Sequence, residues 1–332
     1  MTGLPLVSII IPVYNSSPYL EDALRSALEQ DYENKEIIVV DDGSTDSTPA
    51  ILKSFEAKIT ILTQIHAGPG AARNRALKHA RGTYIAFLDA DDFWVPGKLR
   101  LQIEYLEPRP EVGVVYSKWL LWQANAEGHF SLPSLTPLHK RPAIVPQDSG
   151  WIYTNLLFEC RLLTSTVVLR RSVMEQVGMF NEELLRGQDY DYWLRLSRIT
   201  QIHKLDRELV LYRIHGDNIV KKYPNYNYGL MVLENTVSRW GLSGPDGSTV
   251  SKQRLRHHLG QLCFAFGYWH TQHGTHRIAR DAFFKCLRYH PTHLKGWMYF
   301  LLTAMLSTFR QNRGELSALE PKESGCPGTV KG

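Results

Sequence analysis

An α/β fold is predicted, with a mostly parallel sheet flanked by helices and a helical C-terminal extension, and three observations predict it. Four short apolar runs rich in β-branched residues, at Leu6–Pro12, Lys35–Val40, Ile59–Thr63 and Thr83–Leu88, alternate with segments of helical periodicity. Each run leads directly into a polar or glycine-containing stretch, and open parallel sheets bind their ligands at those carboxyl ends. Beyond Tyr223 the strand pattern stops and helical segments take over.

The first run is nearly continuous in apolar residues, the mark of a strand buried on both faces. Pro12-Val13-Tyr14-Asn15 ends it, and Ser16, Ser17 and Pro18 open a helix with Leu20, Ala23, Leu24, Ala27 and Leu28 on one face. After the second run, Asp41-Asp42-Gly43-Ser44-Thr45-Asp46 forms a turn, and Asp46 or Ser47 caps a helix through Phe55. Gly68-Pro69-Gly70 follows the third run and opens a helix through His79. The fourth run meets the acidic turn Asp89-Ala90-Asp91-Asp92, and Pro96–Leu106 reads as a helix.

The next segment, Val112–Trp122, is a long strand that could turn back as a hairpin. Prolines 133, 137, 142 and 146 mark a surface loop between Ser131 and Gln147. A short helix is expected near Trp151–Phe158, a strand at Leu163–Leu169, an amphipathic helix at Asp189–Arg198 and a strand at Ile202–Ile214. Helices follow near Asn227–Trp240, Lys252–Thr271, Arg277–Tyr289 and His293–Arg310. The middle pair of these resembles one tetratricopeptide-like hairpin, too little for a repeat array. The expected organisation is a catalytic domain at 1–223, a helical region at 224–310 and a disordered tail at 311–332.

With 332 residues, 43% of them apolar, the chain can bury a full core. A formal charge of +5 without a long Lys/Arg run argues against a nucleic-acid surface and suits anionic substrates or an anionic membrane face. Four cysteines in no metal or redox spacing read as free thiols of a reducing, cytoplasmic compartment, and no secretory leader is recognised. The longest apolar run, Trp297–Phe309, is too short to span a bilayer. Packing onto the protein is the expected role of that helix. Its aromatic residues between Lys295 and Arg310 leave a second reading, contact with the inner face of the plasma membrane.

The motifs carry the chemistry. Side chains two apart on extended backbone share a side, so Asp89 and Asp91 can reach one cation, and carboxylates suit Mg²⁺ or Mn²⁺. Such an ion keeps positions open for phosphate oxygens. Tyr14 at a strand end can stack on a nucleobase, with Pro12 fixing the backbone. Helix capping explains Asp46 and Ser47 but not the adjacent pair Asp41 and Asp42, whose like charges cost energy unless something uses them. Gly68-Pro69-Gly70-Ala71-Ala72-Arg73-Asn74 combines a glycine turn, a helix N-terminus and a guanidinium, all of which favour an anion. Neither a P-loop nor a Gly-x-Gly-x-x-Gly fingerprint is present. His270, His273 and His276 lack an acidic or cysteine partner and read as structural.

In this order and spacing, Pro12–Asn15, Asp41–Asp46, Gly68–Asn74 and Asp89–Asp92 resemble a family 2 glycosyltransferase of the Rossmann-like GT-A fold. The likeness runs from about Leu6 to Asn218 and is specific only when the motifs are taken together. It implies a nucleotide-diphosphate sugar donor, UDP-sugar favoured, a Mn²⁺ or Mg²⁺ ion, and a saccharide or lipid-linked acceptor. It places Pro12, Tyr14, Asn15, Asp41, Asp42, Gly70, Arg73, Asn74, Asp89 and Ala90 around the nucleotide sugar. Asp91 is implied as the direct metal ligand, with Asp89 and His215 beside it. Gly187-Gln188-Asp189 resembles the family's acidic motif at a helix start, so Asp189 is implied as the base that deprotonates the acceptor hydroxyl. The family more often carries Glu at the position of Gln188, and the neutral amide alters the tuning of Asp189. Tyr212–Asn218 resembles the late histidine motif, in which His215 is implied either to complete the metal site or to touch the diphosphate.

One base and no evident carboxylate nucleophile imply direct displacement with inversion, in polysaccharide, O-antigen, capsule or glycolipid synthesis. Acceptor choice is expected from Ser131–Phe158 and the helices after it, and Trp151 and Tyr153 either stack on a sugar or sit in the core. A nucleotidyltransferase would carry a basic activating loop near its N-terminus, and Pro12–Pro18 has no Lys or Arg. A non-catalytic nucleotide-sugar module would have lost an acidic residue or the base, yet Asp89, Asp91 and Asp189 are all present.

Overall fold

Strand β1, Val7–Val13, is buried along nearly its whole length and lies parallel between β2, Lys35–Asp41, and β4, Tyr84–Phe87. β3, Thr60–Thr63, continues the parallel arrangement on the far side of β2. The computed structural model describes residues 3–133, 143–216 and 224–317, with side chains to residue 306. One eight-stranded sheet is ordered β3-β2-β1-β4-β7-β6-β8-β5, completed by β5 (Phe93–Trp94), β6 (Val112–Gln123), β7 (Val168–Arg170) and β8 (Gln201–Ile214). β7 is antiparallel to both neighbours, and β6 and β8 run parallel.

Pro12 sits inside β1 without breaking it. The Asp42 N–H donates to the Val13 carbonyl, so Val13 faces β2 and Pro12 faces the opposite edge. There the pairing with β4 has already ended at Ile10–Phe87, and the missing N–H costs no ladder bond.

The helices flank this sheet. α1 (Leu20–Leu28), α2 (Thr48–Ser54) and α3 (Pro69–His79) connect the first four strands, and α4 (Lys98–Leu106) precedes β6. α5 (Tyr153–Leu156), α6 (Arg171–Val177), α7 (Gln188–Leu196) and α8 (Tyr228–Trp240) complete the first compact unit, Met1–Ser251. The core clusters Ile9, Ile11, Leu24, Val39, Ala86 and Trp94 between the sheet and α1 and α4. The unit extends past the boundary expected at Tyr223, because α8 packs on α7.

A second compact unit begins at Lys252 and holds α9 (Lys252–His273), α10 (His276–Tyr289) and α11 (Leu294–Ser317). A Cβ on Gly267 would meet the Phe283 ring at 3.0 Å, so glycine is what lets α9 and α10 approach. None of the helices is long and apolar enough to cross a membrane, among the described residues.

Three local expectations change. β6 continues to Gln123 beside β8, with bulges near Val112 and Lys118, and forms no hairpin strand among the described residues. The run Leu163–Leu169 is strand only from Val168, because Thr164–Thr166 tightens into a 3₁₀ turn. α11 reaches Ser317, past the start of the expected disordered tail, since 311–317 contains no proline to stop it. Pro137, Pro142, Asp217, Asn218, Tyr223 and 318–332 lie outside the described residues.

Candidate active site

The loops after β1, β2 and β3 are tied to one another by side chains rather than by apolar packing. Asn15 has φ +47, the single positive-φ non-glycine residue among those described. Its N–H donates to Ser44 Oγ at 2.9 Å, and its Oδ1 accepts from the Thr45 N–H at 2.8 Å. The Ser16 N–H donates to Thr48 Oγ1 and the Ser17 N–H to Asp46 Oδ2. Asp41 Oδ1 closes the turn by accepting the Ser44 N–H. Burial works against the charge on Asp46, yet bonds from Thr48 and Ser17 hold its carboxyl down at about 2.

Asp42, implied beside the nucleotide sugar, is almost wholly buried and already occupied. Its Oδ1 accepts from Gln64 Nε2 (2.7 Å) and the Ala67 N–H (2.9 Å). Its Oδ2 accepts the Gly68 N–H (2.8 Å) and lies 2.9 Å from His66 Nδ1. The carboxylate therefore organises the loop entering α3. That loop places the His66 ring flat against Tyr14, with centroids 3.9 Å apart and planes 24° apart. Tyr14 is 44% exposed, so its ring is accessible at the strand end.

The second group of residues gathers around the turn after β4. Arg73, on the buried face of α3, donates from one terminal nitrogen to Asp89 Oδ1 at 2.6 Å. Its Nε and other terminal nitrogen are buried and have no hydrogen-bond partner among the described residues. Phe180, its centroid 5.6 Å from the guanidinium carbon, supports the group from below. Burial pushes the Asp89 carboxyl up, Arg73 pulls it back, and the charges on Asp91 and Asp189 push it up again, for a net rise. Asp92 is buried, accepts from Ser165 Oγ and the Arg213 N–H, and is raised well above the usual carboxylate range by burial and then by Asp91 and Asp89.

Pairing of β5 with β8 brings the end of β8 over this turn. Arg213 donates from Nε to the Asp91 carbonyl and from a terminal nitrogen to Asp22, with Trp122 stacked 4.0 Å from its guanidinium carbon. His215 Nε2 stands 3.0 Å from Asp91 Oδ2. Asp189, second residue of α7, follows Gly187, whose left-handed backbone (φ +72) turns the chain into the helix. Asp189 Oδ1 accepts the Tyr190 N–H, and its charge is felt at Asp89. Gln188 Cγ lies 3.5 Å from where a Cβ on Gly70 would stand, so the starts of α3 and α7 are close neighbours.

The structure thus brings Arg73, Asp89, Asp91, His215 and Asp189 into one acidic cluster, and Tyr14, Asn15, Asp41 and Asp42 into an adjoining loop cluster. Ala90 is buried within the acidic turn, and half-buried Pro12 anchors the first loop. Asn74 is committed elsewhere: its amide donates to the Phe180 carbonyl and Glu182 and accepts the Phe180 N–H. It positions Phe180 under Arg73. Tyr153 is fully buried and donates to the Gly241 carbonyl, which makes it a core residue rather than a sugar platform.

Sequence reasoning missed His66, Ser165, Phe180 and Arg213. Ser165 donates to Asp92, accepts the Asp89 N–H, and offers its carbonyl to Trp94 Nε1. Three consecutive hydroxyls, Thr164-Ser165-Thr166, inside an apolar run were the available signal.

A divalent cation can be tested against these donors. Among the described residues no three His, Cys, Asp or Glu side chains form a group able to hold a metal. The expected trio is reduced to a pair, Asp91 and His215, because Asp89 faces Arg73. Mg²⁺ and Mn²⁺ accept one or two protein ligands when phosphate oxygens and water complete the shell, so this donor set fits a cation shared with a diphosphate.

Comparison with known proteins follows the same lines. The family described as Glycosyl transferase family 2 matches residues 8–123. An uncharacterized glycosyltransferase of Rickettsia felis is 34% identical over 235 residues, 69% of this chain, and the chain spans only 37% of that relative's length. The UDP-Glc:alpha-D-GlcNAc-diphosphoundecaprenol beta-1,3-glucosyltransferase WfaP of Escherichia coli is 34% identical over 220 residues, 65% of this chain and 80% of the relative. Among solved structures, residues 1–349 of S. aureus TarS in complex with UDP-GlcNAc superpose with a TM-score of 0.62 at 18% identity, covering 92% of both chains, a likeness of fold.

Proposed function

The chain belongs to glycosyl transferase family 2, and from that premise we propose that it moves a sugar from a nucleotide-diphosphate sugar to an acceptor hydroxyl with inversion at the anomeric carbon. One observation carries the reading. Arg73 keeps two buried donor nitrogens without an acceptor among the described residues, beside a carboxylate turn at the sheet's carboxyl edge. A buried guanidinium left half-satisfied costs free energy, and a diphosphate is the anion whose oxygens would satisfy it.

Tyr14, propped by His66, offers a face to the base, while the loop tied by Asn15, Asp41 and Asp42 fixes where that face stands. Asp91 and His215 would hold Mn²⁺ or Mg²⁺, which supplies charge neutralisation at the leaving diphosphate. Arg73 binds the diphosphate and stabilises the charge that grows on it as the glycosidic oxygen departs. Asp189 accepts the proton of the attacking hydroxyl. With Asp89 engaged by Arg73, Asp189 is the one carboxylate assigned to proton transfer, and a single base suits direct displacement. WfaP is named for a diphosphoundecaprenol-linked acceptor, and a lipid-linked saccharide of the cell envelope is the acceptor class we assign.

The test is a panel of UDP- and GDP-sugars with Mn²⁺, read by thermal shift and by nucleotide release with a lipid-diphosphate saccharide. At least one donor should raise the melting temperature and turn over only with acceptor present. If no sugar nucleotide binds with Mn²⁺, the reading fails.

A further inference from the structure

α11 wears its amphipathic pattern inside out. Its inward face is made of Gly296, where a Cβ would press on Leu287 at 3.2 Å, the fully buried Thr303, and Tyr299, which stacks on Phe283 of α10. The outward face carries Leu294, Trp297, Met298, Leu301 and Met305, at i, i+3, i+4, i+7 and i+11 on one stripe. These side chains are 83%, 47%, 56%, 52% and 61% exposed. Phe284 of α10, 54% exposed, lies beside Phe300 and widens the patch. A contiguous apolar stripe on the outward side of a helix marks something that covers it.

The charge around the stripe says what. Between Lys252 and Ser317, Lys and Arg outnumber Asp and Glu ten to two, whereas the whole chain has 38 against 33. Exposed Arg277 and Arg288 share the Phe284 face of α10, at i−7 and i+4, and exposed Lys295 borders the stripe on α11. Apolar and aromatic side chains flanked by cations are what an anionic lipid surface takes up, the stripe entering the acyl boundary and the cations meeting headgroups. A second copy of the chain would bring the same positive field to the same patch and be repelled.

We propose that the α10–α11 face docks the protein on an anionic bilayer surface. This goes beyond the sugar-transfer reading and does not rest on it, so an Asp189→Asn chain should bind lipid as the unaltered chain does.

Co-sedimentation of the full chain with phosphatidylcholine vesicles, with and without phosphatidylglycerol, tests it. Binding should require phosphatidylglycerol and weaken with salt. It should fall by about fivefold for each of Arg288→Ala and Lys295→Ala, from ~1 kcal/mol per cation near the surface. Leu301→Glu with Met298→Glu should reduce it by about tenfold or more. Hydrogen exchange on the unaltered chain, which needs no variant, should show 294–306 protected by the anionic vesicles. Absence of vesicle binding overturns the proposal. So does equal binding to neutral vesicles, or dimerisation in light scattering that the two Glu substitutions abolish.

Discussion

Replacing Arg73 with Met should separate stability from function, with opposite consequences for each. Two buried nitrogens of Arg73 lack acceptors among the described residues, and each unpaired donor costs ~1–3 kcal/mol. Methionine fills similar volume and carries no donor to desolvate. The loss on the other side is the bond to Asp89, about 1.5–3 kcal/mol for a charged pair. Asp89 is 30% exposed and can hydrate or take up a proton, as its raised carboxyl already favours. The ~2–6 kcal/mol recovered offsets the ~1.5–3 kcal/mol lost, so the variant should lose no more than ~1 kcal/mol in urea melts. Nucleotide binding has no such offset. Two charge-assisted bonds to diphosphate oxygens lost at ~1.5–3 kcal/mol each weaken UDP by about 10²- to 10⁴-fold, readable by titration calorimetry with Mn²⁺. The reasoning is refuted if Arg73→Met binds UDP within about threefold of the unaltered chain. It is refuted equally if the variant loses more than ~4 kcal/mol of stability, which would make Arg73 a structural residue alone.

The other predictions concern the base, the cation pair, the base platform and the loop. Asp189→Asn should lower turnover by about 10²- to 10⁴-fold with UDP affinity unchanged; near-normal turnover would remove Asp189 as the base. His215→Ala should raise the Mn²⁺ concentration needed for half-maximal activity by about tenfold or more, and Asp91→Ala should abolish the response to metal. His66→Ala removes the ring behind Tyr14, so KM for the donor should rise while kcat holds; an unchanged KM would leave the stack without a role. Asp46 sits at about 2 in the folded chain, below its ordinary value, so the stabilisation it brings is present above about pH 4 and lost as pH falls toward about 2. The group is exposed, which limits the effect to ~1 kcal/mol. The gap in urea melts between the unaltered chain and Asp46→Asn should therefore close on acidification, and a constant gap would refute the assignment.

Much of the fold was legible because its signals are local. Ile9–Val13 and Ile37–Val40 are unbroken apolar runs, the pattern of a strand covered on both faces. Asp46, two residues ahead of α2, and the glycine-proline turn before α3 announce helix starts in the adjacent sequence. The acidic turn could be placed at the sheet edge because it follows a strand directly. The gathering of Arg73, Asp89, Asp91, His215 and Asp189 was foreseen only through resemblance to a family, since no local rule connects position 73 to 215.

Tertiary structure decided which of these groups remain available. From the chain alone Asp42 and Asn74 look as able to meet a ligand as Arg73. Folding engages Asp42 with the loop to Gly68 and Asn74 with Phe180, and leaves two nitrogens of Arg73 unanswered. The direction of α11 was likewise undetermined, because a helix carrying apolar residues on more than one side can bury any of them. Gly296 and Thr303 faced inward because small side chains let α11 close on α10, and the larger apolar stripe was turned out. The sequence by itself determined the elements and the chemistry at their ends. Satisfaction of hydrogen bonds and the direction of each face depend on residues far apart in the chain, and only the packed molecule decides them.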